Sequence, residues 1–351
     1  MQTKKYPLNL MFLAGIVGMT LSLKAVTQTV DIRSDSQLNS RLATFNTTPL
    51  YSGKTAATWL WDVRSILSNG TRITTTDKSR IDALIKFCQQ KQITEIFLQI
   101  NRDISIVKYQ FLIASLSAAQ VKIGSNVFAV KVQALDGASN WVTAEGDLRK
   151  NAFFEWVFAY QKSASATQRF TAIHLDVEPY TGELWRSNLA AGILAFQDFV
   201  IDAKTRIANK NLSDQLNLGM VVDIPFWYDE RLFSNRFGTG NLAEWVYQTV
   251  PAVAIMAYRD TATGPNSGIV NIASTELRYG QLYGKPTYIG VETSLQDLSY
   301  VSFYEEGEAK MRQVLNSCVT SFASNSATAS ASYSFAIHDF ANWKALPLSP
   351  R

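Results

Sequence analysis

Cysteine and histidine are scarce, with two of each in 351 residues. Cys88 and Cys318 each sit in a helical pattern, IDALIKFCQQ and MRQVLNSCVTSF, so buried free thiols are expected rather than a disulfide framework. CxxC and HExxH are absent, which removes the commonest zinc signatures. His174 and His338, with no early HxH, do not equip a binuclear metal site. An all-oxygen Mg²⁺ or Ca²⁺ site among the aspartates is not forced by anything in the pattern. Gly-rich phosphate loops are missing as well, so neither metal nor cofactor is expected. Long basic runs are also missing, and nucleic-acid binding therefore has no support.

What is present is ordinary globular material, 47% hydrophobic and 18% charged, with a distinct start. Lys4 and Lys5 precede the apolar run Leu8–Leu23, and Lys24–Ala25 follow. Residues 1–25 read as a secretory signal peptide or an uncleaved anchor, with residues 7–23 as the possible membrane tether. The run is short for a comfortable transmembrane helix. Ala25 is the candidate cleavage point, although Leu23 fits the small-x-small rule poorly. The segment holds Lys4, Lys5 and Lys24 and no Asp or Glu, so the formal charge of +4 falls to +1 without it. The expectation is a secreted or outward-facing monomer. Residues 26–55 are polar and aperiodic, a linker or early surface segment.

From residue 56 to 351 short apolar runs alternate with amphipathic ones, the pattern of an α/β fold with parallel strands. Eight strands are expected: Ala57–Val63, Thr94–Asn101, Val127–Leu135, Thr171–Glu178, Leu216–Asp223, Ala252–Tyr258, Thr287–Thr293 and Ser332–His338. Helical runs include Arg80–Gln90, Leu189–Ala208, Ala243–Val250 and Tyr304–Phe322, with only a short one after the last strand. Eight βα units in this length predict one closed (β/α)₈ barrel, a TIM barrel, with an open doubly wound sheet as the alternative.

Polar groups recur at the C-terminal strand ends: Asp62, Asn101, Asp136, Glu178, Asp223, Tyr258, Glu292 and His338. Barrel chemistry sits at that face. The fourth strand, FTAIHLDVEPY, is the most loaded. Ile173, Leu175 and Val177 alternate with His174, Asp176 and Glu178, and Pro179 ends the ladder. On the third strand Lys131 and Gln133 are expected inside, Lys131 paired with Asp176 or Asp223, and His174 bonded to Asp176. Paired carboxylates are the minimum equipment for cleaving a glycosidic bond. Glu178 is the candidate acid/base, Glu292 the first choice of nucleophile, and Asp176 the residue that orients Glu178. Asp62, Asp136, Asp223, Tyr258 and His338 are candidate substrate contacts. Aromatics after the tips, with Trp141 and Trp227 foremost and Tyr180, Trp185, Phe226, Tyr228 and Trp343 beside them, could stack on sugar rings.

TAIHLDVE resembles the fourth-strand motif DGxDxDxE of glycoside hydrolase family 18, the chitinase-like barrels. Asp176 and Glu178 match its last Asp and its Glu. Met256–Tyr258, MAY, is similar to the sixth-strand Met-x-Tyr of that family. Thr171–Ala172 replaces Asp-Gly, and His174 replaces the first inner Asp. The resemblance implies that Asp176 positions a substrate acetamido group and that Glu292 only binds. The DxE pair also resembles lysozyme-like family 25 barrels. Glu178 with Glu292 is similar to retaining barrels with Glu on strands four and seven, where Asn usually precedes the acid and Val177 stands here. LDVEPY, DIPFW, MAYRD and FAIHDF together resemble a group of secreted bacterial barrels over most of residues 56–346, which implies the fold rather than a reaction. The combined expectation is a glycan-acting hydrolase, with a non-catalytic, lectin-like glycan-binding barrel as the alternative.

Overall fold

A computed structural model describes residues 48–264 and 266–351. The expected signal or anchor, and the linker up to residue 47, lie outside the described residues. Eight parallel strands close into a barrel in chain order: β1 (Ala56–Leu60), β2 (Ile93–Gln99), β3 (Lys131–Asp136), β4 (Ala172–Leu175), β5 (Gly219–Pro225), β6 (Ala252–Met256), β7 (Thr287–Glu292) and β8 (Tyr333–His338). β8 pairs with β1 through Ala56–Phe335, Ala57–Ala336 and Thr58–Ile337, which closes the ring. The fold is an α/β TIM barrel.

Helices cover the outside. α1 (Thr75–Lys91) starts at a capping box, in which Thr74 and Asp77 satisfy each other's backbone N–H groups. The chain then runs through α2 (Ile106–Ala118), α3 (Asp147–Ser163), α4 (Glu183–Ser187), α5 (Leu189–Asp214), α6 (Leu242–Thr249), α7 (Ile269–Tyr283), α8 (Gly307–Ser324) and the short α9 (Phe340–Ala345). Among the described residues no helix is long and apolar enough to cross a membrane. Cys88 on α1 and Cys318 on α8 are buried free thiols, and burial raises both.

Strand alternation splits the core in two. Outward residues such as Ile96, Ile173 and Ile255 pack under the helices. The barrel interior is a separate cluster around Trp59, Phe97, Leu135, Val221 and Tyr288, filled out by alanines. Trp59 and Phe97 meet edge to face at 5.0 Å, and Phe97 and Tyr288 at 5.1 Å. These rings plug the barrel, so any chemistry is confined to its C-terminal mouth.

The third strand departs from expectation. Asn126–Phe128 folds back on Val121–Ile123 as an antiparallel hairpin, and the barrel strand begins only at Lys131. Lys131 is therefore at the N-terminal rim and exposed. It does not reach Asp176 or Asp223, since a charged side chain at the rim keeps its hydration instead of entering the barrel. A second hairpin, Leu232–Asn235 with Gly238–Asn241, decorates the loop after β5.

Candidate active site

The regular part of β4 stops at Leu175, and Asp176–Glu178 continue past it as extended chain. Pro179 opens the 3₁₀ turn Pro179–Thr181, which aims Tyr180 back at the strand tip. Tyr180 Oη donates to Glu178 Oε1 at 2.5 Å and lies 3.9 Å from Met256 Sδ. Trp227 sits edge-on to the Tyr180 ring at 5.0 Å. Trp227 thus backs Tyr180, and Tyr180 holds Glu178. Burial lifts the Glu178 pKa to about 7, and Asp223 raises it too, while the Tyr180 hydrogen bond and His338 oppose the rise.

Asp176 is the second carboxyl of this tip. Burial raises its pKa well above the usual carboxylate range, and Asp223, Glu178 and Asp136 add to the rise. The neighbouring Asp223 carboxyl favours the protonated form in particular. Oδ1 of Asp176 is buried without a hydrogen-bond partner. Burial and the neighbouring carboxyl groups therefore both oppose ionisation of Asp176.

The backbone under Asp176 is tightly fixed. A Cβ on Gly137, just after β3, would lie 1.8 Å from the Asp176 carbonyl oxygen. Gly137→Ala must therefore displace the β4 tip, and it is expected to cost about 1–3 kcal/mol. A lowered denaturation midpoint would register that cost, and an unchanged midpoint would refute the close approach.

Opposite this tip, Glu292 ends β7 and His338 ends β8, paired in register. His338 Nδ1 and Glu292 Oε2 are 2.8 Å apart, and Glu292 Oε1 accepts the backbone N–H of Thr293 and of Ser294, each at 2.7 Å. Burial pushes the Glu292 pKa up, but His338 and these donors outweigh it and hold it below the ordinary value. Burial opposes charging His338, yet the Glu292 carboxylate raises its pKa overall. Trp61 Nε1 donates to His338 Nε2 at 2.9 Å, and the Tyr258 ring lies 5.9 Å from His338. Gly290 leaves room for this arrangement, because a Cβ there would sit 2.8 Å from the Ile255 carbonyl and 3.2 Å from the Trp59 ring.

Tyr258 feels Glu292, Asp176, Asp223 and Glu178 together, and they add to the burial that raises its pKa. Asp176, Glu178, Asp223, Tyr258, Glu292 and His338 therefore converge on one mouth. Asp223 lies a layer deeper than its place in the strand implied. It is 3% exposed, with Oδ1 on His174 Nε2 at 2.7 Å and Oδ2 accepting from Trp59 Nε1 at 3.3 Å. It supports the tip from below and is not open to substrate. His174 bonds Asp223 and Gln133, not Asp176, because its ring points one strand away on either side.

Two other expected substrate contacts do not reach the mouth. Asp62 is out of phase with the inward residues Trp59 and Trp61. It is exposed and accepts from Arg64 N at 3.0 Å to start a 3₁₀ turn. Trp141 is fully buried, 5.5 Å from Phe153 and 6.4 Å from Phe199, because the turn Ser139–Val142 folds it behind the barrel wall. Trp185, Tyr228 and Trp343 are likewise buried, whereas Tyr180, Phe226 and Trp227 stay half-buried. Asp136 is buried beside the site, accepts from Gly137 N at 2.9 Å and lies 3.6 Å from Arg149. Trp61 and Glu95 were not singled out from sequence. Strict alternation from Ala57 and Trp59 would have found Trp61.

No protein-family model matches the chain, and no curated protein matches it. Solved structures similar to it include glycoside hydrolases. A family 18 chitinase from Cycas revoluta in complex with (GlcNAc)3 is 10% identical over 68% of each chain, with a TM-score of 0.38. The Ignisphaera aggregans GH53 catalytic domain is 9% identical over 83% of this chain and 85% of that one, at 0.42. The Clostridium thermocellum endo-1,4-beta-D-xylanase 10B CBM22-1–GH10 modules, complexed with xylohexaose, are 10% identical over 84% of this chain and 61% of that one, at 0.41.

Proposed function

We propose that the chain is a glycoside hydrolase acting on a poly- or oligosaccharide, with Glu178 as the general acid/base. The observation that carries this reading is the Glu178 carboxyl itself. It is half-buried at the barrel mouth, pushed up to about 7, and held at 2.5 Å by Tyr180 beside a second carboxyl whose ionisation is opposed. An acid that must donate to a glycosidic oxygen near neutral pH needs that placement and that proton affinity. Half-buried Trp227 and Tyr180 supply an aromatic wall for a sugar face.

Glu292 fits a nucleophile less well than its strand-end position implied. Both its oxygens are engaged, and it is 3% exposed. Its geometry supports an anchoring role, as a fixed anion that accepts from His338 Nδ1 and orients the ring, whose Nε2 accepts from Trp61. Asp176, with a free buried oxygen next to Glu178, is then the partner of the acid. That arrangement favours Asp176 as the group that meets a substituent of the bound sugar, in keeping with the chitinase-like reading of the fourth strand.

Hydrolysis of peptidoglycan, chitin-type and neutral glycans by the full chain tests the proposal. Release of reducing sugar supports it. Binding without turnover across the whole panel would instead indicate a lectin-like barrel. The pH profile carries a signed expectation. Glu178 must be protonated to act, so kcat/KM should hold below about 7 and decline as pH rises through about 7. The same shift makes the folded chain pay a stability cost that starts above the ordinary Glu value of 4.5 and is complete above about 7. A profile flat through neutrality into the alkaline range would exclude Glu178 as the acid.

A further inference from the structure

A hydrogen-bonded chain crosses the barrel interior from its N-terminal rim to the candidate site. It begins at Glu95, near the start of β2 and half-buried. Glu95 Oε2 accepts from Tyr288 Oη at 2.6 Å and from the Gln133 side-chain amide at 2.6 Å. Gln133 reaches His174 Nδ1 at 2.8 Å, and His174 Nε2 reaches Asp223 Oδ1 at 2.7 Å. Asp223 in turn acts electrostatically on Asp176 and Glu178.

We infer that Glu95 is a positioning residue that fixes the tautomer of His174 from the far end of the barrel, and so sets the charge of the His174–Asp223 pair. A carboxylate only accepts hydrogen bonds. The Gln133 terminus facing Glu95 must therefore be its NH₂, which turns the amide oxygen toward His174. An amide oxygen also only accepts, so Nδ1 carries a proton. Two bare acceptors do not sit 2.7 Å apart, so one more proton lies between Nε2 and Asp223 Oδ1. Whichever atom holds it, the pair is neutral. A flipped Gln133 would donate to Nδ1 and leave a neutral Nε2–H ring beside an Asp223 anion. Glu95 thus decides between a net charge of zero and of −1 directly beneath Asp176 and Glu178.

Tyr288 Oη also accepts from the Gln133 amide, at 3.1 Å, and so supports that choice. The ring neighbours of the imidazole are Trp59 at 6.1 Å and Phe97 at 4.1 Å, both uncharged. Tyr288 Oη spends its proton on the same Glu95 oxygen, and Lys131, the register neighbour of Glu95 on β3, is exposed. Around Glu178 stand Tyr180, Asp223, His338, Tyr228, Tyr258 and Asp176.

The test is nuclear magnetic resonance of the full chain labelled with ¹⁵N-histidine. The sequence has two histidines, and His338→Gln identifies which signals belong to His174. The expected wild-type result is a proton-bearing Nδ1 at His174. Glu95→Gln, which can face Gln133 with either end of its amide, should let the Nε2–H tautomer appear. Tyr288→Phe removes the weaker acceptor of the Gln133 amide and leaves its 2.6 Å bond to Glu95, so it should keep the wild-type pattern. An unprotonated Nδ1 in the wild type, or His174 signals unmoved by Glu95→Gln, would overturn the inference. So would a Tyr288→Phe pattern equal to that of Glu95→Gln, which would mark general loosening of the interior. The consequence for catalysis rests on the Glu178 reading. With an added negative charge below it, the alkaline limb of Glu95→Gln should move up by about one pH unit. Tautomer behaviour as expected in a chain that hydrolyses nothing would leave this inference standing and remove the proposed function.

Discussion

Glu178→Gln is expected to lower kcat by about 10²–10⁴-fold on whichever glycan the wild type hydrolyses, with binding nearly unchanged. The substitution is isosteric, and the Tyr180 hydroxyl that bonds Oε1 at 2.5 Å can donate equally to an amide oxygen. The tip should keep its shape and lose only its transferable proton. Loss of turnover with retained binding is the mark of an acid/base that acts in the transition state. Equal turnover by both proteins would sink the assignment. Loss of binding as well would mean that Glu178 is a ligand contact and not the acid. The alkaline limb near 7 should disappear from any residual activity, since the group that produces it is gone.

The barrel was legible because its signals are local. Period-2 alternation, helical runs between strands and polar residues at one end of each strand are all properties of short windows, and a closed parallel sheet is what they add up to. The loaded tip of the fourth strand was legible for the same reason. Depth was not. Asp223 and Glu292 look alike as the acidic ends of strands, yet one is a buried support bonded to His174 and Trp59, and the other is locked to His338. Those contacts join residues 49, 164 and 46 positions apart, which no window shows. Asp62 misled because charge was weighed above phase. It follows Trp61 by one position, and in a strand one position is the other face. Trp141 misled because a loop after a strand tip can fold down over the barrel wall as readily as up toward the mouth. The axis from Glu95 to Asp223 escaped notice because Glu95 lies at the end of the barrel where no site was sought.

The role of Asp176 can be divided by two substitutions. Asp176→Ala removes a carboxyl that burial and its carboxyl neighbours bias toward the protonated form and that carries an unpartnered oxygen, and a loss of about 10²–10³-fold in kcat is expected, the usual effect of deleting one preorganised donor. Asp176→Asn keeps the size and a hydrogen-bond donor beside Asp223, and it keeps the neutral form that burial favours. If Asp176 works as a fixed neutral group that meets the sugar, Asn should recover most of that loss and stay within about tenfold of wild type. If Asp176 must release its proton as positive charge grows on the sugar, an amide cannot follow, and Asn should fall as far as Ala. The buried surroundings and the neighbouring Asp223 both resist a second anion at this point, which makes the first outcome the expected one. The alkaline limb supplies an internal check. Burial is the main cause that raises Glu178, and Asp176→Asn leaves it in place, so the limb should stay near 7 in the Asn variant. A limb that moved down would show Asp176 to be ionised in the working enzyme.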